Sequence, residues 1–196
     1  MFQRFFYIIL LYLFSFSAQS KDNSELAEKI NNKFATIKNI KFDFTQKIGD
    51  TVEIGTCFLE YPKKLICRYK GDEQKEIVIK ENTLAIIKRK YQRVYYYRVT
   101  NSPFATILDK EKIISQISNI KNISSKNGLL VLDFYNDDKS SYLQLFLNKD
   151  TLDIEGWEST GYDQQTTSFT IKNSQINIDF NEKFEIPDFD LGRNQN

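Results

Sequence analysis

"CFLEYPKKLICRY", residues 57–69, decides how the chain is read. Apolar and aromatic residues fall on every second position: Cys57, Leu59 and Tyr61 on the way in, Leu65, Cys67 and Tyr69 on the way out. A period of two is that of a strand, and the Pro62-Lys63-Lys64 step between the runs is a turn. With Tyr61-Pro62-Lys63 as the loop, Glu60 faces Lys64 and Cys57 falls opposite Cys67. Opposed strand residues lie ~4.5–5.5 Å apart at Cα, at the short end of disulfide geometry. A bridge there would close a loop of about ten residues and stabilise the fold by roughly 2.5–3 kcal/mol. Two buried thiols filling space is the alternative reading. No C-x-x-C spacing suggests a redox-active pair.

Outward from this hairpin the same alternation recurs. "IKFDFTQKI" before it places Ile40, Phe42, Phe44 and Ile48 on one face. "EIVIK" and "TLAIIK", joined by a Glu81-Asn82 turn, and then "YQRVYYYRV" follow it. Later come "GLLVLDFY", "SYLQLFLN", "TLDIEGWE", "QTTSFTIKN" and "INIDF", separated by Asn- and Asp-rich turns at antiparallel spacing. Two stretches break the period. "NSELAEKINNKFATI" carries Leu26, Ile30, Phe34 and Ile37 at helical spacing, and "SPFATILDKEKIISQI" predicts one or two short helices behind Pro103. Phe42, Phe44, Leu59, Tyr61, Leu65 and Tyr69 share a parity and are expected on one inward face, since a one-residue slip would turn each set outward.

The N-terminus reads as a secretory signal peptide over residues 1–20. Arg4 precedes an apolar run from Phe5 to Phe16, and Ala18 and Ser20 occupy the −3 and −1 positions of a cleavage site. That run is shorter than the ~20 residues that span a bilayer. Residues 21–196 are expected to form a single exported domain. Without Arg4 the formal charge of +1 falls to zero, so charge points to no nucleic acid. The chain has no histidine, which removes the commonest metal ligand and every histidine-based triad. No catalytic residue, metal site or cofactor is expected, and the protein is read as a non-enzyme. "KRKYQR" (Lys88, Arg89, Lys90, Arg93) is a basic cluster, either a solvated turn or a contact for anionic headgroups or an acidic partner.

Several stretches resemble, in order, those of the periplasmic outer-membrane lipoprotein carriers, the LolA family. "NIKFDFTQKIGD" (39–50) resembles the opening strand with its F-x-Q signature, matched by Phe44, Thr45, Gln46 and Lys47. Gly55, Leu59 and Pro62 fit a glycine-to-proline hairpin, and "NSPFATIL" (Asn101 to Leu108) fits a proline-led lid segment. "GYDQQTTSFTI" (161–171) resembles the late D-x-Q-x-T strands, and "FEIPDFD" (184–190) the closing F-x-x-P segment. The resemblance implies a mainly β fold: a strongly curved, incompletely closed antiparallel β-barrel covered by short α-helices. It implies an apolar cavity for acyl chains, lined by Phe42, Phe44, Leu59, Tyr61, Leu65, Tyr69, Tyr95, Tyr97, Phe104, Ile107 and Leu108. It further implies a monomer in the periplasm of a Gram-negative bacterium. Its partners would be acylated lipoproteins, an inner-membrane ABC-type lipoprotein-releasing complex and an outer-membrane lipoprotein acceptor. A periplasmic binding protein for a free lipid is the alternative.

Two positions depart from the family pattern. Tyr61 stands where such carriers have an arginine that holds the lid, and Glu81-Asn82 replaces an Asp-Gly turn. Arginine offers five donors and tyrosine one hydroxyl on an apolar ring. The lid is therefore expected to rely more on apolar contacts from Phe104, Ile107 and Leu108.

Overall fold

The computed structural model describes residues 24–99, 104–117, 123–135, 142–160 and 165–189. The signal-peptide reading, Pro103 and the Gly161 end of the late strand pair lie outside them. Helix α1 (residues 24–36) opens the described chain, and its Ala27, Ile30 and Phe34, with Ile37 just beyond, are buried. These positions recur every three or four residues, which puts them on one stripe.

Eleven strands follow: β1 (Asn39–Ile48), β2 (Thr51–Glu60), β3 (Lys64–Tyr69), β4 (Lys75–Lys80), β5 (Thr83–Lys88) and β6 (Arg93–Arg98), then β7 (Ser124–Lys126), β8 (Leu129–Tyr135), β9 (Tyr142–Asn148), β10 (Ile154–Thr160) and β11 (Thr166–Ile176). Between β6 and β7 lie the short helices α2 (Phe104–Ile107) and α3 (Lys110–Ile117). All strands join one antiparallel sheet in the order β6-β5-β4-β3-β2-β1-β11-β10-β9-β8-β7. β6 and β7 end the sheet without pairing to each other, so it is an open, curved barrel with helices over its inner face.

Register fixes the faces. Phe42 pairs with Cys57, Cys57 with Cys67, and Cys67 with Ile77; one step along, Ile40, Leu59, Leu65, Ile79 and Leu84 form the next row. Both rows join the main core, with Ile77 and Leu84 partly buried at its edge, together with Ile30, Phe34, Ile107, Leu108, Ile113 and Ile117 from the helices. The hairpin has the three-residue loop read from the sequence, with Glu60 opposite Lys64.

The opposite face carries a smaller core of Ile66, Val78, Ala85, Ile87 and Phe184. Phe184 reaches it because the chain after β11 does not continue as the strand expected from "INIDF". Asn177 adopts a left-handed φ of 55°. Its side-chain oxygen accepts from the Lys38 N–H at 2.6 Å, and its amide donates to the Thr36 carbonyl at 2.9 Å. The ladder stops there, and residues 177–189 cross the outer face as a strap. Phe180 packs on Phe58 with ring centroids 5.5 Å apart, and the Arg68 guanidinium donates to both Glu182 carboxylate oxygens at 3.1 and 2.7 Å.

Candidate lidded inner face

The floor of the inner face is aromatic. Phe44 lies edge-on to Tyr69 at 4.9 Å and stacks on Phe169 at 4.8 Å. Phe169 stacks in turn on Trp157 at 4.6 Å, and Trp157 meets Phe42 edge-on at 6.3 Å. All five are at least 90% buried. This geometry explains the F-x-Q pattern. Phe44 pairs with Gly55, and its ring occupies the space a side chain there would need: a Cβ on Gly55 would lie 2.7 Å from that ring and 2.2 Å from the Arg68 carbonyl oxygen. Two residues on, Gln46 accepts a hydrogen bond from the Tyr69 hydroxyl at 2.7 Å. Burial, and then the charge of Glu53, push the Tyr69 hydroxyl well above its usual ionisation range, so it stays a donor.

Beyond this pair the inner face turns polar. Lys75 sits 3.8 Å over the Tyr69 ring and forms an ion pair with Glu53. At the core of the face, Cys57 and Cys67 are joined by a disulfide, with Cα atoms 4.1 Å apart.

The hairpin tip holds the helical cover. The Tyr61 hydroxyl donates to the Ile107 carbonyl at 3.1 Å, and the Lys63 N–H donates to the Leu108 carbonyl at 2.9 Å. The Lys63 ammonium lies 3.6 Å from the Asp109 carboxylate. Asp109 also accepts from the Lys112 N–H at 3.2 Å, which caps α3. On the other side, the Lys110 ammonium donates to the Ala35 and Ile37 carbonyls at 3.2 Å each. A cation at the end of a helix, where carbonyls are left over, is favourably placed. The cover is thus latched by a handful of polar contacts around an apolar underside.

Of the residues expected to line the cavity, Phe42, Phe44, Leu59, Leu65, Tyr69, Ile107 and Leu108 lie in the main core, with Tyr61 packed against it. The side chain of Phe104 lies outside the described part. Tyr95 and Tyr97 differ from these in exposure. Their pairing with Ile86 and Leu84 puts them on the inner face, yet they are 40% and 54% exposed. β6 ends the sheet, with β5 as its one described neighbour. The sequence reading missed Trp157 and Phe169, although both sit in runs it identified as strands. It also missed Lys63, Asp109 and Lys110, because a latch between a turn and a distant helix has no local period.

Among the described residues no group of three or more carboxylate, cysteine or histidine side chains could hold a metal, and no helix is long and apolar enough to cross a membrane. A family model described as "Outer membrane lipoprotein carrier protein LolA" matches residues 35–186. No curated protein matches the chain. Among solved structures, a DUF1329 family protein from Desulfovibrio piger is 8% identical, with 83% of this chain and 95% of that one covered and a TM-score of 0.49. A domain described as an outer membrane lipoprotein-sorting protein from Vibrio parahaemolyticus is 9% identical, covering 89% and 98% at a TM-score of 0.49. A LolA superfamily protein from Nitrosomonas europaea is 8% identical, covering 78% and 94% at 0.39.

Proposed function

The chain belongs to the LolA family of outer membrane lipoprotein carrier proteins, and on that premise we propose that it shields the acyl chains of lipoproteins beneath its helical lid while they cross the periplasm. The supporting observation is an apolar stretch of the inner face, floored by Phe42, Phe44, Tyr69, Trp157 and Phe169, under a cover held by few polar contacts. Exposed acyl chain is disfavoured in water by about 0.8 kcal/mol per CH₂. A carrier must match that burial and still release its load, so a cover that opens suits it better than a closed shell.

In this reading the native apolar contacts of α1, α2 and α3 with the sheet are exchanged for acyl chain when the cover lifts. The Tyr61 and Lys63 contacts set how often that happens. The work is binding and release, without a bond made or broken. The donor is an inner-membrane ABC-type releasing complex, and the recipient is an outer-membrane lipoprotein acceptor. Mass spectrometry of what co-purifies with the protein from a periplasmic extract tests this. Intact acylated proteins are expected; extractable free lipid alone would favour a lipid-binding role instead.

A further inference from the structure

β6 is a basic, tyrosine-rich strand. Between Glu81 and Asp109 the sequence contains no aspartate or glutamate, and five residues there are lysine or arginine. Lys88 and Arg89 are satisfied by Glu73 and Glu76 at 2.8 and 2.7 Å. Arg93 and Arg98, the two ends of β6, enter no ion pair among those the described residues form, and both are exposed. Between them Tyr95, Tyr96 and Tyr97 are 40%, 62% and 54% exposed. With Tyr91, they are four of the seven large apolar or aromatic side chains exposed among the described residues. A hollow of about 430 Å³ lined by Lys88, Tyr91, Arg93 and Tyr95 opens at the Arg93 end.

The strand has β5 on one side and no described strand on the other. A free edge presents backbone N–H and C=O groups that seek a partner strand, and tyrosine with arginine is the composition of interface anchors. We propose that β6 receives an extended, acidic segment of a partner protein as a twelfth strand, with carboxylates meeting Arg93 and Arg98. Two other occupants fit worse. A second copy of this chain paired antiparallel end to end would set Arg93 against Arg98 at both ends, which like-charge repulsion disfavours. A lipid surface would leave the strand's backbone groups unpaired in an apolar medium, which is strongly disfavoured. The tyrosines also point to both faces of the sheet, Tyr95 and Tyr97 inward and Tyr96 outward, which suits flanking a strand better than lying on a plane.

The test uses the mature chain and a fluorescein-labelled peptide, acetyl-Glu-Thr-Val-Thr-Val-Glu-amide, with its lysine-ended counterpart and an N-methylated version. Anisotropy should show the acidic peptide binding about ten-fold or more tighter than the lysine one. Amide exchange in residues 93–98 should slow on binding. Arg93→Glu with Arg98→Glu should reverse the preference while leaving the melting temperature unchanged, and N-methylation should abolish binding. Equal binding of all three peptides, or none, overturns the proposal. So does charge-reversal-sensitive binding to vesicles of phosphatidylethanolamine and phosphatidylglycerol without peptide binding, which would make the edge a membrane contact.

Discussion

The two faces of β3 and β4 are both apolar, yet they are covered in different ways. Leu65 and Ile79 point inward under helices, while their neighbours Ile66 and Val78 point outward under the strap 177–189. The inner cover consists of separate helices touching the sheet through an apolar underside and latched at the hairpin tip. The outer cover is the direct continuation of β11, tied at its start by Asn177 and midway by the two hydrogen bonds between Arg68 and Glu182. In the proposed function the first arrangement lifts, giving up a few polar contacts and exchanging the buried apolar contacts of Ile30, Phe34, Ile113 and Ile117 for cargo. The second can leave only by unravelling. Under the proposed function, the inner side takes cargo and the outer side stays permanent core.

The largest effect that would break this comparison comes from truncating each face in turn. Phe44→Ala removes a buried ring that touches Gly55, Tyr69 and Phe169, and should cost about 3–5 kcal/mol in urea unfolding. Phe184→Ala should cost less, because a surface strap can settle into the gap. The decisive contrast is in binding: Phe184→Ala should leave uptake of a fluorescent fatty-acid probe unchanged, and Phe44→Ala should alter it. Equal effects on uptake would erase the distinction between the faces.

Removing the disulfide comes next. Cys57→Ala with Cys67→Ala should lower stability by roughly 2.5–3 kcal/mol, the value expected for releasing a ten-residue loop. Reductant should lower the denaturation midpoint of the natural chain by a similar amount and leave the double variant unmoved. A double variant that still responds to reductant would show that the bridge is not the source.

Much of this was legible in the sequence because it is periodic. The inward parity of Phe42, Phe44, Leu59 and Leu65 follows from period two alone, and the Cys57–Cys67 register follows from a three-residue loop. What was not legible depends on chain ends and long-range closure. Tyr95 and Tyr97 have inward parity, but alternation does not reveal that β6 is the last strand of an open sheet. "INIDF" alternates like a strand, but Asn177 at positive φ turns it into a strap. The latch residues Lys63 and Lys110 look like any surface lysines until the helices are placed over the hairpin.

A finer test sharpens the role of the latch. Tyr61→Phe removes one neutral hydrogen bond to the Ile107 carbonyl, about 0.5–1.5 kcal/mol, and should shift the closed-to-open balance by roughly two- to ten-fold. Stopped-flow uptake of the probe should quicken modestly, while Tyr61→Arg, with more donors, should slow it. Abolished uptake in Tyr61→Phe would mean that the hydroxyl contacts cargo rather than the lid.

The smallest effect lies on the outer face. Asn173 and Thr56 donate to the Asp43 carboxylate at 2.9 and 2.7 Å and hold its pKa below the ordinary value. Such a group contributes stability that is present above its unfolded value near ~3.9 and is lost as pH falls through the lower folded value. Asp43→Asn should therefore flatten the acid limb of the stability–pH curve without touching probe uptake, read from melting temperatures at a series of pH values.

The central claim, that acyl chains enter beneath the lid, has a reporter built into the chain. Trp157 is the sole tryptophan, buried on the inner floor against Phe169. Titrating the protein with a triacylated lipopeptide whose acyl chains carry bromine should quench its fluorescence saturably, and the same peptide without acyl chains should not. Binding of the brominated lipopeptide that leaves Trp157 emission unchanged would place the cargo elsewhere and contradict the account.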